Sequence, residues 1–186
     1  VVASNADFYN FRTYGINVYQ GDLYRFVGNV VDTCFIAGNG DLLMSPVGEF
    51  SSAAEVEAFI AEHDVQFSLA FGPIEILDGE VQPLDYYPIG EIEDKYSRSS
   101  LGQLGELHYL LMCAGGEGNY TDYCTIKEAA AAMAAKGCES AYALDGGQTA
   151  ELIFGGKIRN RIVYDSERAV SDIIYFATAL PPQKEG

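Results

Sequence analysis

Four short β-prone runs turn back on themselves at glycines, and this most limits the architectures open to the chain. INVYQGDLYRFV reverses around Gly21-Asp22, DTCFIAGNGDLLMS around Gly38-Asn39-Gly40, IEILDGEVQP around Asp78-Gly79, and ELIFGGKIRN around Gly155-Gly156. Asp-Gly and Gly-Gly pairs supply the positive φ angles that two-residue hairpin turns require. Hairpins join antiparallel strands, whereas a doubly wound parallel sheet needs helical crossovers. VQFSLAF (65–71), HYLLMCAG (108–115), SAYAL (140–144) and AVSDIIYFATAL (169–180) read as further, more buried strands.

Only two segments carry good helix signals. In FSSAAEVEAFIAEH, Ser52 with Glu55 three residues on forms a capping box, Val56, Phe59 and Ile60 share one face, and the helix ends near His63. In TIKEAAAAMAAKG, Thr125 and Glu128 form a second capping box, the alanines favour helix, and Gly137 suits a left-handed stop. The expectation is one α+β domain over 1–186, with mixed, largely antiparallel sheets and two principal helices packed on them. Gly115 to Tyr123 reads as a polar loop, and PPQKEG (181–186) as a polar tail or the start of a linker. The chain starts VVASNADFYNF, and any signal or anchor segment is expected to lie outside it.

Charge removes one class of partner. Against 27 Asp plus Glu stand 11 Lys plus Arg, a formal net charge of −16. No basic stripe for nucleic acid is evident. An anionic ligand would be repelled at long range and would need a local cluster of donors, so the few arginines are informative. No apolar run reaches the length of a membrane span. Cys34 and Cys113 sit in apolar runs and read as buried thiols; Cys124 and Cys138 are either bridged or free. The cysteine spacing does not suit zinc, and neither His63 nor His108 stands where catalysis would want it. GxSxG, HExxH, P-loop and Rossmann signatures are all lacking.

The stretch SAYALDGGQTAELIF (140–154) raises a sharper question. Asp145 follows a buried strand, at the kind of strand end where ligand sites collect. Gly146 and Gly147 permit close approach of a ligand or expose consecutive N–H groups, and Gln148 and Thr149 add neutral donors. A plain Asp-Gly turn accounts equally well for these residue types. In SRSSLGQ (97–103), Arg98 between serines, with Ser99 next to it, offers a planar fork plus hydroxyls suited to phosphate, or an ordinary edge ion pair. Asn5 and Asp7 precede Phe8, Tyr9 and Phe11, which reads as a pocket with an apolar lining or as a turn before a core strand.

Taken in order, NADFY (5–9), FGPIEILDGEV (71–81), SRSSLGQ, TIKEAAAAMAAKGC (125–138), ALDGGQTAELIFGGKIRN (143–160) and VSDIIYF (170–176) resemble the phosphodiester glycosidase family. Gln148 and the SDIIYF ending are similar to the Gram-positive bacterial branch, associated with exopolysaccharide. The resemblance implies hydrolysis of a sugar C1–O–P linkage to free sugar and phosphomonoester, outside the cytoplasm, on a phosphate-linked glycan or cell-wall component. It implies catalytic roles for Asp145, Arg98 and Asp7, and substrate contacts from Asn5, Ser99, Gly146, Gly147, Gln148 and Thr149. In this reading Arg98 and the two glycine amides hold the phosphate, with no cofactor. Two alternatives stand beside it: a glycan-binding or assembly module without turnover, and a phosphodiesterase using a divalent metal on Asp145 and Asp7. Ala143, where the family commonly has Asn, and Glu151, where a small or apolar residue is usual, are departures from the pattern.

Overall fold

In a computed structural model of the chain, which describes residues 1–8, 12–88, 92–115 and 123–177, all four glycine turns close hairpins. β2 (Gly15–Tyr19) pairs with β3 (Asp22–Val27), β4 (Thr33–Ala37) with β5 (Leu42–Ser45), β7 (Ile74–Leu77) with β8 (Glu80–Val81), and β12 (Leu152–Phe154) with β13 (Lys157–Ile158). At Asp78-Gly79 φ is 51° and 80°, the double left-handed conformation of a tight hairpin turn. The remaining strands are β1 (Val2–Asn5), β6 (Val65–Leu69), β9 (Arg98–Gly105), β10 (His108–Ala114), β11 (Ser140–Ala143) and β14 (Ile173–Phe176).

They form three sheets with orders β13-β12-β1-β14, β10-β9-β11-β7-β8 and β3-β2-β6-β4-β5, antiparallel at every pairing. The α+β class is therefore as expected. α1 (Ala53–His63) begins at Ser52, whose side chain accepts the Glu55 N–H, while the Glu55 carboxylate turns back to Ser51. It lays Val56 and Ile60 on Ile16, Val18, Phe35 and Val65, covering one face of the β2–β6 sheet. Each such side chain contributes roughly 1.5–3 kcal/mol by burial. α2 (Ile126–Ala135) has the full capping box of Thr125 and Glu128. Its small side chains let Ile126, Ala130 and Met133 lie close over Ala143, Ile76 and Ala141 of the β9–β11 sheet. The inner faces of both sheets meet in a central core of Cys34, Leu42, Leu69, Ile74, Leu101 and Tyr142, against which Ile174 and Phe176 of β14 pack.

Some expectations need correction. β10 is an edge strand, half-buried along most of its length, because only β9 flanks it. The last strand is four residues long with alternating exposure, since one face of its sheet is uncovered; positions 178–180 lie outside the described residues, as do 116–122, Tyr9, Phe11 and the 181–186 tail. All four cysteines are free, so Cys124 and Cys138 are not bridged, and Cys113 is only partly buried. Among the described residues no helix is long and apolar enough to cross a membrane.

Candidate active site

Three chain crossings converge where β11 ends. The Asp145 N–H donates to Ala6 O at 2.9 Å, and the Asn5 side-chain amide donates to Asp145 O. The Gly147 N–H donates to Ser97 O at 2.7 Å. The turn after the strand is thus bolted to the β1 end on one side and the start of β9 on the other. A Cβ on Gly146 would meet Ser97 O at 2.7 Å, so only glycine allows β9 to pass this close. Gly147 has φ +64°, a conformation that favours glycine for a second reason.

Beside this turn lies a cavity of about 1130 Å³. Asp145, Gly146, Gly147, Gln148 and Arg98 line it, and so do Arg12, Arg168 and Lys95. Half of the six arginines in a chain of net charge −16 therefore face one space. Each guanidinium is held over aromatic rings. Arg12 lies over Phe8 and, at 4.6 Å, over Phe71; Arg98 lies 5.1 Å from the Tyr96 ring; Arg168 lies 5.7 Å from Phe8. Such stacking fixes the plane of the fork while its edges remain oriented for hydrogen bonds. Main-chain carbonyls complete the hold: Arg12 donates to Ala70 O, and Arg98 to Asp94 O and Cys124 O.

Asp145 is 8% exposed. Its Oδ1 accepts the Gly146 N–H at 2.8 Å and its Oδ2 accepts from Arg168 Nη2 at 3.3 Å. Burial raises its pKa above the ordinary carboxylate value, against the opposing pull of Thr149, the Gly146 N–H and the Arg168 and Arg12 charges. Behind it, the Asp172 carboxylate accepts the Asp7 N–H at 2.7 Å. Burial, with the Asp7 and Asp145 charges adding, pushes Asp172 up to about 6.

The expected site residues divide into three groups. Asp145, Arg98, Gly146, Gly147 and Gln148 share the larger cavity. Asn5 and Thr149 instead face a smaller one of about 330 Å³ on the other side of Arg168. Asp7 and Ser99, each 1% exposed, line neither. Asp7 does not reach the cavity because its carboxylate accepts the Phe8 and Ala70 N–H groups, at 2.5 and 2.7 Å. Ser99 donates to Asn5 Oδ1, which also accepts from Ser4 and the Glu151 N–H, so Asn5 is a junction between two sheets.

The expected glycine anion cradle is likewise not formed, since both N–H groups are engaged within the protein. Ala143 packs under α2 in the core, and Glu151 faces the smaller cavity. Among the described residues no group of three His, Cys, Asp or Glu is placed to hold a metal ion. Sequence reasoning missed Arg12, Lys95, Arg168 and Tyr164 as cavity residues. The scarcity of cations was the one signal that pointed toward the arginines.

Comparison with known proteins agrees with this architecture. The family model described as Phosphodiester glycosidase matches residues 1–177. Among solved structures, the chain is similar to the zebrafish N-acetylglucosamine-1-phosphodiester alpha-N-acetylglucosaminidase catalytic domain, auto-inhibited by its pro-peptide. The TM-score is 0.64 at 16% identity, over 92% of this chain and 61% of that one. A hypothetical protein from Synechocystis gives a TM-score of 0.63 at 14% identity, over 91% of this chain and 50% of that one. The chain thus spans about half to three-fifths of the length of these two structures. No curated protein sequence matches it. Over nearly its whole length, the chain belongs to the phosphodiester glycosidase family.

Proposed function

We propose that this domain hydrolyses the bond between a sugar's anomeric carbon and the bridging oxygen of a phosphodiester, on phosphate-linked glycans outside the cytoplasm. The observation that carries the reading is the meeting of Arg12, Arg98 and Arg168 with Asp145 around one cavity in a strongly acidic chain. Water adds to C1 as the C1–O bond breaks, and the bonding electron pair leaves on the phosphate oxygen. Charge builds in two places, positive on the sugar ring and negative on the departing phosphomonoester. The arginine forks answer the negative charge, so the leaving group needs little protonation. Asp145 faces the positive charge, orients the water and takes up its surplus proton.

In this reading Asp7 does not act on substrate: its buried carboxylate accepts the Phe8 and Ala70 N–H groups, which also speaks against its serving as a metal ligand beside Asp145. The glycan-binding alternative differs in predicting no turnover. Incubation with a synthetic sugar phosphodiester, followed by phosphorus NMR, tests the reading. Appearance of phosphomonoester and free sugar in equal amounts is the expected result. Intact diester at high enzyme concentration, or a sugar phosphate product from cleavage on the other side of phosphorus, rejects it.

A further inference from the structure

The Asp145 N–H donates to Ala6 O at 2.9 Å, and the Asp7 N–H donates to Asp172 Oδ1 at 2.7 Å. The Ala6 carbonyl and the Asp7 N–H belong to one peptide group. A single rigid plane therefore carries the backbone of Asp145 on one edge and a carboxylate on the other. Hydrogen bonds in line through such a group strengthen one another, and an ionised acceptor at one end makes the strongest of them.

Asp172 immediately precedes β14, where Ile173 pairs with Asn5 of β1. Arg168, on the same segment, reaches the Asp145 carboxylate itself. The segment 168–172 thus grips Asp145 twice, with a cation on its side chain and an acid behind its backbone. Asp172 is half-buried and lines neither cavity, so it works through Asp145 rather than on substrate.

An asparagine would accept the same N–H without bringing a charge. The acid instead places a further carboxylate next to Asp7 and Asp145, whose charges add to burial in holding its proton on up to about pH 6. Arg168 and Arg12 pull Asp145 the other way, and Arg12 and Arg25 do the same to Asp7. Coupling between two protonation sites is reciprocal. If ionised Asp145 raises the proton affinity of Asp172, ionised Asp172 raises that of Asp145 equally.

We propose that Asp172 is a positioning residue that holds Asp145 through the Ala6–Asp7 peptide group and, on releasing its own proton, makes Asp145 a stronger base. The consequence for rate rests on the hydrolytic reading, in which Asp145 takes the surplus proton of water; the coupling itself does not.

Carbon-13 NMR of the aspartate carboxyls, assigned through the backbone, reads the coupling without turnover. In the parent Asp172 should titrate at about pH 6, and in Asp145→Asn its midpoint should fall by about one unit. In turnover of a sugar phosphodiester, the rate of the parent should rise through that same step. Asp172→Asn keeps an acceptor for the Asp7 N–H and should erase the step. Its kcat should fall roughly three- to tenfold at about pH 7.5 and stay within about twofold at about pH 5. An unmoved Asp172 midpoint in Asp145→Asn overturns the inference, and so does a kcat in Asp172→Asn that is unchanged or lowered equally at both pH values. The NMR comparison uses no Asp172 variant, so it decides even where Asp172→Asn does not fold. If the parent turns over no diester yet the midpoint moves, the hydrolytic reading fails and the coupling stands. Turnover with an unmoved midpoint keeps hydrolysis and removes the role of Asp172, and no turnover with an unmoved midpoint rejects both.

Discussion

Arg168 Nη2 lies 3.3 Å from Asp145 Oδ2, joining the turn after β11 to a segment 23 residues further on. The arginine is 43% exposed at its side chain and the aspartate 11%, so water screens one partner more than the other. The contact matters less for stability than for the protonation of a carboxylate that burial has already made a stronger base.

Asp145→Asn should lower kcat/KM by more than about 100-fold in a protein whose circular dichroism is unchanged. Arg168→Gln should act differently. Removing its charge raises the Asp145 pKa further, so the acidic limb of the pH–rate profile should move to higher pH. A profile that stays in place would mean that Asp145 does not titrate in the rate-determining step.

The two glycines after Asp145 should respond unequally to alanine. Gly146→Ala forces a methyl against Ser97 O, a backbone atom that yields only if β9 and the turn separate. A loss of about 1–3 kcal/mol is expected, with a marked fall in kcat/KM. Gly147→Ala meets no atom within 4 Å and should cost about 1 kcal/mol, from its positive φ alone. Thermal unfolding of the two variants gives the order directly.

Glu75, on β7, is fully buried; Ser100 donates to its Oε1, and its Oε2 has no partner among the described residues. Burial pushes its pKa from 4.5 up to about 8. A raised carboxyl pKa means that the folded state holds a proton the unfolded chain has released. Stability from this group is therefore full below about pH 4.5 and is lost as pH rises toward about 8. Glu75→Gln, which keeps the shape without the titration, should flatten the decline in Tm between about pH 5 and 8. An unaltered slope would place the pH dependence elsewhere, with Asp172 the next group to test.

Much of the fold was legible because it is local. Asp78-Gly79 and Gly155-Gly156 state their turns outright, and Thr125 with Glu128 states a helix start. The division into three sheets was not legible, because β1 takes its partners from β12 and β14, and no short-range signal reports such pairings. The site divides along the same line. Asp145 and Arg98 sit in motifs that suggest chemistry, but Arg12 and Arg168 become neighbours only through Phe8. Gly146 and Gly147 looked like a cradle for an anion, and residue type does not say where an N–H points. Both are engaged within the protein, and the room that Gly146 leaves is taken by the chain entering β9.

β1 lies between β12 and β14, and Asn5 at its end binds the Asp145 carbonyl. During synthesis β1 therefore leaves the ribosome long before either neighbour and waits for them unpaired. Those neighbours follow every strand of the other two sheets, and β1, whose Asn5 holds the Asp145 carbonyl, takes its sheet partners only from them. A chain released before they emerge would hold most of its hairpins and both helices yet lack the sheet partners of β1 and the Arg168 that meets Asp145, so the candidate site is among the last parts of the fold to assemble.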